Sequence, residues 1–365
     1  VGQPVDGVPT PASKYAGLAA AIVNNLKTPE IIALQEVLDN DGATASSTTS
    51  ASETLSQLID AIVAAGGPRY VAIDSPPIDN IGGIPNGNQR VAYLYDPLAV
   101  SPTSRNGLTT IVSDANGVKV QEFAGANQIG QGNTDFTATR KSLPMEWSPV
   151  GYTDDQGGTF WTVNNHLSSK GGSAPLYTTL LDLPPYADPI NGSSQQTGTS
   201  SEREGQAETI NAFVDGLLTN GSATDDRIVV LGDLNDFQFF PVVDLITGQL
   251  VRTTASPDGT PSIFAPGTAV LSELISKLPE NERYSYNFDG NAQALDHILV
   301  SNNLFDSAQF DIVHINSEFI DQVSDHDPSV SSLVMSRSAA IATNGNDLFD
   351  QAAYTAKFGV RGSLA

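Results

Sequence analysis

The sequence predicts a mixed α/β domain, because segments with the apolar pattern of helices alternate with short buried strands. Apolar residues at helical spacing indicate two helices, over residues 13–27 and 53–67. A third helix is expected over residues 202–218, directly before a strongly apolar strand. Runs of β-branched and aromatic residues predict strands at 30–37, 90–96, 160–166, 227–233, 296–301 and 328–335.

The length of 365 residues allows one large domain or two. With 39% hydrophobic residues the chain can form a sizeable core. Because composition does not shift sharply and no repeat is present, we expect one domain over residues 1–336. Residues 337–365 then form a C-terminal extension or linker. The polar segment 187–201 is rich in turn formers and predicts a surface loop before the third helix.

The charge balance restricts the partners of the chain. There are 17 Lys and Arg against 41 Asp and Glu, a formal net charge of -24, which repels polyanions and acidic membranes at long range. Nucleic acid can bind only where divalent cations or salt mediate the contact. The absence of Cys excludes disulfides, zinc-thiolate sites and thiol catalysis. No membrane span or signal peptide is predicted, so we expect a soluble, possibly processed chain, and its acidity fits a saline exterior.

Polar residues stand where predicted strands end. Glu36 closes the strand at 30–37, and a carboxylate suits Mg²⁺, Mn²⁺ or Ca²⁺. Asp233 and Asn235 follow the strand at 227–233, and they would point to the same side if that strand continued through them. The alternative is that these residues simply form a turn.

Three of the four histidines, His166, His297 and His326, also lie at the edges of predicted strands. In an antiparallel sheet the start of one strand lies beside the end of its neighbour, so the polar groups can meet along one edge. An Asp can accept a hydrogen bond from one imidazole nitrogen and leave the other to take a proton from water. Such an assembly is typical of metal-assisted hydrolysis at an anionic centre, whereas each histidine taken alone could be structural.

The ordered motifs of the chain resemble the endonuclease/exonuclease/phosphatase superfamily, most closely its secreted bacterial nucleases related to pancreatic deoxyribonuclease. The resemblance runs from about Gly17 to about Val334. It implies a four-layer sandwich in which two mixed, largely antiparallel sheets pack face to face with helices outside. The motifs are "LQEV", "RKSLP", "NNHLSSK", "GDLNDF", "RYSYNFDGNAQALDHILVS" and "SDHDPSV".

The resemblance implies a catalytic divalent metal, Mg²⁺ or Mn²⁺, with Ca²⁺ as a further possible ion. Glu36 is then a metal ligand, and Asp325 supplies another. Asp233 holds a second metal or orients the phosphate and nucleophile.

The resemblance also implies the catalytic roles. His326 is the general base and Asp296 orients it. Arg140 contacts the substrate phosphate, Asn235 orients it, and His166 either hydrogen-bonds the phosphate or protonates the leaving oxygen. Neither His297 nor His314 has an assigned role, and both are interpreted as structural or substrate-proximal. The carboxylates Asp236 and Asp327 are interpreted as turn or capping residues.

Two departures from the family pattern bear on this assignment. Members normally open with a strand that ends in an Asn metal ligand, and the first 18 residues contain no such strand. Either that strand lies outside this chain or another segment replaces it. Some relatives carry a Glu that pairs with the leaving-group His, where this sequence has Asn88, Gln89 and Arg90.

We therefore expect a secreted, divalent-metal-dependent phosphodiesterase that cleaves extracellular DNA or RNA by in-line attack of water. One alternative is a phosphomonoesterase or lipid phosphodiesterase on the same scaffold. A non-catalytic alternative is a nuclease-like domain that serves as a structural or matrix protein.

Overall fold

A computed structural model of the chain describes residues 12–42, 44–75, 87–108, 112–113, 117–123, 127–151, 158–169, 196–219, 226–254, 262–288, 290–335 and 354–361. Two large sheets lie face to face between two layers of helices, so the predicted four-layer α/β sandwich is confirmed. The helices are α1 (Ala12–Ala20), α2 (Ser52–Ala64), α3 (Gln196–Thr219), α4 (Pro241–Thr247) and α5 (Asn302–Phe305).

The strands are, in chain order, β1 (Ile31–Val37), β2 (Val71–Asp74), β3 (Arg90–Tyr95), β4 (Val100–Pro102), β5 (Val112–Ser113), β6 (Lys119–Glu122), β7 (Leu143–Pro149), β8 (Phe160–His166), β9 (Ile228–Asp233), β10 (Leu250–Thr254), β11 (Ile263–Pro266), β12 (Leu271–Glu273), β13 (Tyr286–Phe288), β14 (Asn291–Gln293), β15 (Asp296–Ser301), β16 (Gln309–Ile312), β17 (Ser329–Met335) and β18 (Tyr354–Arg361). The eight-stranded sheet has the order β16-β17-β18-β1-β3-β2-β6-β5, and the six-stranded sheet has the order β12-β15-β9-β8-β7-β4. Strands β10 and β11 form a separate hairpin, as do β13 and β14.

The central core lies between the two sheets. Alternate residues of a strand face opposite sides, so Ala33 and Tyr93 of the larger sheet meet Met145, Trp147 and Leu231 of the smaller one. The rings of Tyr93 and Trp147 pack edge to face with centroids 5.6 Å apart. This contact holds the two sheets at a fixed separation, and therefore holds the two halves of any site at their common edge.

Helices cover the outer face of each sheet because each has one apolar stripe. Helix α2 buries Leu55, Leu58 and Ile62 against the larger sheet. Helix α3 buries Ile210 and Val214 against the smaller sheet. Burying one such aliphatic side chain is worth about 1.5–3 kcal/mol, so both stripes contribute substantially to stability.

The predicted elements differ from the observed ones at two helix ends. Helix α1 ends at Ala20, and a π-helical segment, Ala21–Asn25, completes the predicted helix. Residues 187–195 of the predicted surface loop lie outside the described residues. Residues 196–201 belong to α3, so the loop prediction is wrong for these six positions. Gln, Thr and Ser cost little relative to Ala, and helix propagation adds a hydrogen bond with each residue.

Strand β18 lies inside the larger sheet, where no strand was predicted from the sequence. It pairs in parallel with β1, with Leu34 opposite Arg361, and antiparallel with β17. Residues 337–353, which precede it, lie outside the described part, as do residues 1–11 at the start of the chain. The division at residue 336 stays a prediction. Among the described residues, no helix has the length and apolar character needed to cross a membrane.

Candidate active site

Three polar strand residues meet at one edge of the smaller sheet. Strands β8 and β9 run parallel with His166 opposite Asp233. Strand β15 runs antiparallel to β9 and places Asp296 opposite Asp233. The ends of two strands and the start of a third therefore bring these side chains to the same edge.

The larger sheet contributes Glu36 to this edge. The pairing of β1 with β3 is irregular between Leu34 and Val37, and Glu36 adopts a left-handed φ of 55°. Its Oε1 lies 3.9 Å from His166 Nε2. A non-glycine residue holds such a conformation at a cost of about 1–3 kcal/mol, and only where its surroundings fix it.

Buried amides hold the two sheets together beside Glu36. Gln35 Nε2 donates to Asn164 Oδ1 at 2.7 Å. Asn164 Nδ2 donates in turn to the carbonyl oxygens of Leu34 and Ala92, at 3.1 and 2.9 Å. Because Asn164 lies on β8 and its partners lie on β1 and β3, these bonds set the distance between Glu36 and His166.

His326 is paired with Asp296. Its Nδ1 lies 2.6 Å from Asp296 Oδ2, which also accepts a hydrogen bond of 2.7 Å from Ser285 Oγ. Burial alone lowers the pKa of His326, but Asp296, Asp233 and Asp325 outweigh it and hold the pKa well above its usual value. Since the carboxylate accepts from Nδ1, the proton that His326 can exchange is the one on Nε2.

His166 lies in the opposite electrostatic environment. Burial and the charges of Arg140 and His326 hold the pKa of His166 well below its usual value, so its ring is neutral at pH 7. Its Nδ1 is buried and has no hydrogen-bond partner within the described part of the chain. Arg140 is also buried and donates from Nη2 to the carbonyl oxygen of Leu167. Burial lowers the pKa of Arg140 to about 10, so the guanidinium stays charged.

Asp233 and Asn235 form a turn instead of continuing the strand. The Asn235 backbone N–H donates to Asp233 Oδ1 at 2.7 Å, and Asn235 has a left-handed φ of 50°. The amide of Asn235 donates to the carbonyl oxygen of Leu167 at 3.0 Å, which is also the acceptor of Arg140. The backbone at these residues therefore forms the turn that was the alternative prediction. The side chain of Asp233 still lies beside His166, with its Oδ2 3.5 Å from His166 Nε2.

The acidic residues provide oxygen donors of the kind that hard divalent cations prefer. Burial raises the pKa of Asp233 to about 7, with Asp296 and Glu36 adding to the effect and His326 opposing it. A cation bound beside Asp233 would favour the charged form of this carboxylate and so lower its pKa again. Asp325 is half-buried beside His326. Within the described ranges no three His, Asp or Glu side chains form a group able to hold a metal ion, so the ligand assignments remain predictions.

The residues that replace the Glu of some relatives have other partners. Asn88 Nδ2 donates to Asp39 Oδ2 at 2.7 Å, and Arg90 forms a buried ion pair of 3.1 Å with Asp74. Asn88 and Arg90 are therefore structural, since their side chains are held by Asp39 and Asp74. Neither pairs with His166, whose Nδ1 has no hydrogen-bond partner in the described part of the chain.

Two of the residues without an assigned catalytic role organise loops. Asp327 Oδ1 accepts the backbone N–H groups of Ile315, Asn316 and Ser317, and so acts as the expected capping residue. His314 lies 3.0 Å from Asp327 Oδ2. Sequence reasoning missed Gln35, Asn164, Ser285 and Tyr286. Their positions were the signal that could have identified them: Gln35 and Asn164 stand inside the motifs "QE" and "NNH", and Ser285 and Tyr286 shortly precede "LDH".

The comparisons with known proteins identify one family. The Endonuclease/Exonuclease/phosphatase family matches residues 5–326 of the chain. Similar solved structures include truncated TDP2 from Caenorhabditis elegans, with 13% identity, a TM-score of 0.45, and coverage of 88% of this chain and 89% of that chain. A mannosyl-6-phosphatase from Bacteroides thetaiotaomicron has 16% identity and a TM-score of 0.45, and the alignment covers 88% and 91% of the two chains. ANGEL2, a 2',3'-cyclic phosphatase in complex with adenosine-2',3'-vanadate, has 12% identity and a TM-score of 0.47, with 86% and 83% covered.

No curated protein sequence matches the chain. The family match, in contrast, spans far more than half of its 365 residues. The chain therefore belongs to the Endonuclease/Exonuclease/phosphatase family, whose members hydrolyse phosphoester bonds.

Proposed function

We propose that the chain is a secreted, divalent-metal-dependent phosphodiesterase that cleaves DNA or RNA by in-line attack of water, as do the secreted bacterial nucleases whose motifs it resembles. The observation that carries the proposal is the 2.6 Å contact between His326 Nδ1 and Asp296 Oδ2. This pair lies at the same edge as Asp233, His166 and the charged Arg140. A general base therefore faces groups that can bind and orient a phosphate.

His326 removes the proton of the attacking water with Nε2. Asp296 fixes the ring through Nδ1 and stabilises the imidazolium that forms. Ser285 in turn fixes Asp296. Because only the neutral ring can accept a proton, His326 must first release the Nε2 proton that its raised pKa favours.

Enzymes of this family generally use divalent metals such as Mg²⁺. Glu36, Asp325 and Asp233 are the residues that would hold the ion, because carboxylate oxygen is the ligand that hard divalent cations prefer. Mg²⁺ or Mn²⁺ is the expected catalytic ion, and Ca²⁺ is a further candidate. When bound, the ion supplies positive charge that offsets the charge growing on the phosphate oxygens.

The remaining polar groups bind the phosphate. Arg140 supplies a fixed guanidinium, and the amide of Asn235 is held beside it by their common acceptor at Leu167. His166 is neutral at pH 7, so it is suited to donate a hydrogen bond to a phosphate oxygen. Its lowered pKa opposes the alternative role, in which it carries an extra proton to the leaving oxygen.

Aromatic residues beside the base favour a nucleic acid over a phosphomonoester. The ring centroid of Tyr286 lies 4.6 Å from that of His326, and the nearly parallel ring of Phe288 follows at 6.4 Å. Phe288 is 50% exposed on the β13–β14 hairpin, which stands apart from both large sheets. A flat apolar surface suits a nucleobase, because stacking on an aromatic ring needs no charge attraction in so acidic a protein.

The proposal is tested with three p-nitrophenyl esters under Mg²⁺, Mn²⁺ or EDTA. They are the thymidine 5'-phosphodiester, the methyl phosphodiester and the phosphomonoester. We expect metal-dependent hydrolysis of the diesters, with the lower KM for the thymidine ester. Phe288→Ala should raise KM for the thymidine ester about tenfold and leave the methyl ester unchanged, because one stacked base is worth about 1–3 kcal/mol.

Ile263→Ala is the matched control, since Ile263 is a comparably exposed apolar residue, 59% exposed, on the separate hairpin strand β11. Hydrolysis of the phosphomonoester alone would contradict the proposal and support a phosphomonoesterase. Equal effects of Phe288→Ala on both diesters would contradict stacking at Phe288 but not phosphodiesterase activity.

A further inference from the structure

His297 follows the catalytic Asp296 on β15, but its side chain faces the other side of the sheet. The residue is fully buried. Its Nδ1 lies 2.6 Å from Glu273 Oε1 on β12, and its Nε2 lies 2.8 Å from the backbone carbonyl oxygen of Asp236. Asp236 is the last residue of the turn 233–236, which contains Asp233 and Asn235.

The two partners of His297 fix its protonation state. A carbonyl oxygen only accepts hydrogen bonds, so Nε2 must carry a proton. A carboxylate also accepts, so Nδ1 must carry one as well. A neutral imidazole has a single N–H, and this geometry therefore requires the imidazolium.

We infer that His297 is a positioning residue, a buried imidazolium that fastens the carbonyl of Asp236 to the Glu273 carboxylate and so holds the catalytic turn 233–236 in place. The inference rests on the proposed function, because the turn carries Asp233 and Asn235. It adds a residue that acts through the turn and does not touch the substrate.

The surrounding charges support a buried cation at this position. Glu273 faces the ring from β12, Asp296 adjoins it on β15, and Asp236 adjoins it on the turn. Arg203 of α3 is the nearby cation, and its Nε lies 3.5 Å from the Asp236 carboxylate. Asp244 of α4 is close enough to Glu273 for their charges to interact. Burial lowers the pKa of His297, but Glu273, the Asp236 carbonyl and Asp296 raise it above the usual value.

The turn depends on such contacts because its backbone is left-handed. Asn235 has a φ of 50°, which Asn adopts more readily than most residues but which the bonds around the turn select here. Hydrogen bonds hold three successive residues of the turn. Leu234 N–H donates to the Leu295 carbonyl oxygen at 2.9 Å, and Asn235 Nδ2 donates to the Leu167 carbonyl oxygen. The bond from His297 holds the third residue, Asp236. Small displacements of positioned groups lower turnover strongly, so loss of this bond should appear in kcat.

Two substitutions separate the two bonds of His297. The amide nitrogen of Gln reaches about as far as Nε2, and that of Asn about as far as Nδ1. His297→Gln can therefore keep the bond to Asp236, whereas His297→Asn can keep only the bond to Glu273. We expect His297→Asn to lower kcat for the thymidine p-nitrophenyl diester about 10-fold to 100-fold, with KM changed less than about threefold. The Gln variant should retain most of the kcat.

Melting temperatures of both variants distinguish positioning from general stability. Equal losses of kcat in the two variants, or losses that follow melting temperature, would contradict the inference. Wild-type chain that hydrolyses no phosphodiester would contradict the proposed function instead.

A spectroscopic measurement tests the imidazolium without any activity. The chain has four histidines, so the ¹⁵N ring signals of His297 can be assigned by their loss in His297→Gln. We expect both ring nitrogens to be protonated at pH 7.5 in the wild type. In Glu273→Gln, which removes the charge partner, the ring should become neutral and keep its proton on Nε2. A neutral ring in the wild type would overturn the inference, and it would do so even if the two variants failed to fold.

Discussion

The two histidines at the edge of the sandwich differ in their surroundings: His166 is buried and His326 is half-buried, and their environments shift their pKa values in opposite directions. His326 has Asp296 Oδ2 at 2.6 Å, and its pKa is raised well above the usual value. His166 has Arg140 as a neighbour, its Nε2 lies 3.5 Å from Asp233 Oδ2, and its pKa is lowered well below the usual value. Burial lowers the pKa of both rings.

A hydrogen-bonded carboxylate can outweigh burial, and only His326 has one. In His166 burial is the largest cause of the lowered pKa, and the charge of Arg140 adds to it. An imidazole with a hydrogen-bonded carboxylate can accept a proton and keep it. A buried imidazole beside a guanidinium stays neutral and can act only as a hydrogen-bond donor or acceptor near pH 7. In the proposed mechanism, proton transfer at His326 is therefore separate from phosphate binding at His166.

Replacing each histidine gives the largest expected effects and tests this separation directly. His326→Ala should lower kcat about 100-fold to 10,000-fold, because it removes the general base. His166→Ala should lower kcat much less, about tenfold, because it removes one hydrogen bond to a charged phosphate. Single-turnover rates with a phosphodiester under Mg²⁺ measure both, and thermal melts confirm folding. A larger loss for His166→Ala would reverse the assigned roles.

Asp296→Asn tests whether the charge next to His326 matters. The amide cannot stabilise the imidazolium, so kcat should fall about 100-fold. Ser285→Ala is the matched control, since it keeps the charge of Asp296. It removes the 2.7 Å bond to Asp296 Oδ2 and the longer bonds that Ser285 Oγ accepts from the backbone N–H groups of Leu295 and Asp296, and it should lower kcat about fivefold. Similar losses in the two variants, measured in the same assay, would show that Asp296 acts by position and not by charge.

Arg140→Lys tests the other side of the comparison. Lysine keeps the positive charge but has one ammonium group in place of the forked guanidinium. It cannot donate to the Leu167 carbonyl oxygen and bind the phosphate in the same arrangement. We expect KM to rise about tenfold while kcat changes little, as measured by steady-state kinetics on a phosphodiester. An unchanged KM would mean that Arg140 supports the fold and does not contact the substrate.

The smallest effect concerns Asp39, a buried carboxylate like Asp233 that lies outside the catalytic edge. Burial raises the pKa of Asp39 from 3.8 to about 6. The folded chain thus binds a proton that the unfolded chain has already lost between these pH values, so stability falls as pH rises through them. The resulting change in the free energy of unfolding is at most about 3 kcal/mol.

Unfolding in urea at pH 4.5 and pH 7.5 measures this dependence for the wild type and Asp39→Asn. The variant has no ionisable group at position 39. The difference in the free energy of unfolding, wild type minus variant, should therefore be smaller at pH 7.5 than at pH 4.5. A difference that does not change with pH would exclude a raised pKa at Asp39.

Sequence reasoning predicted which residues meet at the candidate site because motif order and strand pattern are local. The strands that carry Glu36, His166 and Asp233 at or next to their last residue lie where the apolar runs predict them. The sandwich also follows from the alternation of helices and strands together with the family motifs. The turn at Asn235 was left open between two interpretations, because its φ of 50° depends on the contact with Leu167, which is 68 residues away in the chain.

Long-range partners could not be predicted for the same reason. Gln35 meets Asn164 across 129 positions, and His297 meets Asp236 and Glu273 from different strands. The place of β18 inside the larger sheet depends on two strands remote from it in sequence. Composition and periodicity carry no information about such pairs, so they emerge only from the three-dimensional arrangement.

The proposed phosphodiesterase activity is tested by the nicking of supercoiled plasmid, with single-stranded RNA in parallel, under Mg²⁺, Mn²⁺ or EDTA. We expect the wild-type chain to cleave at least one polymer and to lose this activity with EDTA. We also expect at least a 100-fold slower rate for His326→Ala, whose melting temperature should match the wild type. A folded wild-type chain that cleaves neither polymer with either metal, or a fully active His326→Ala variant, would contradict the proposal.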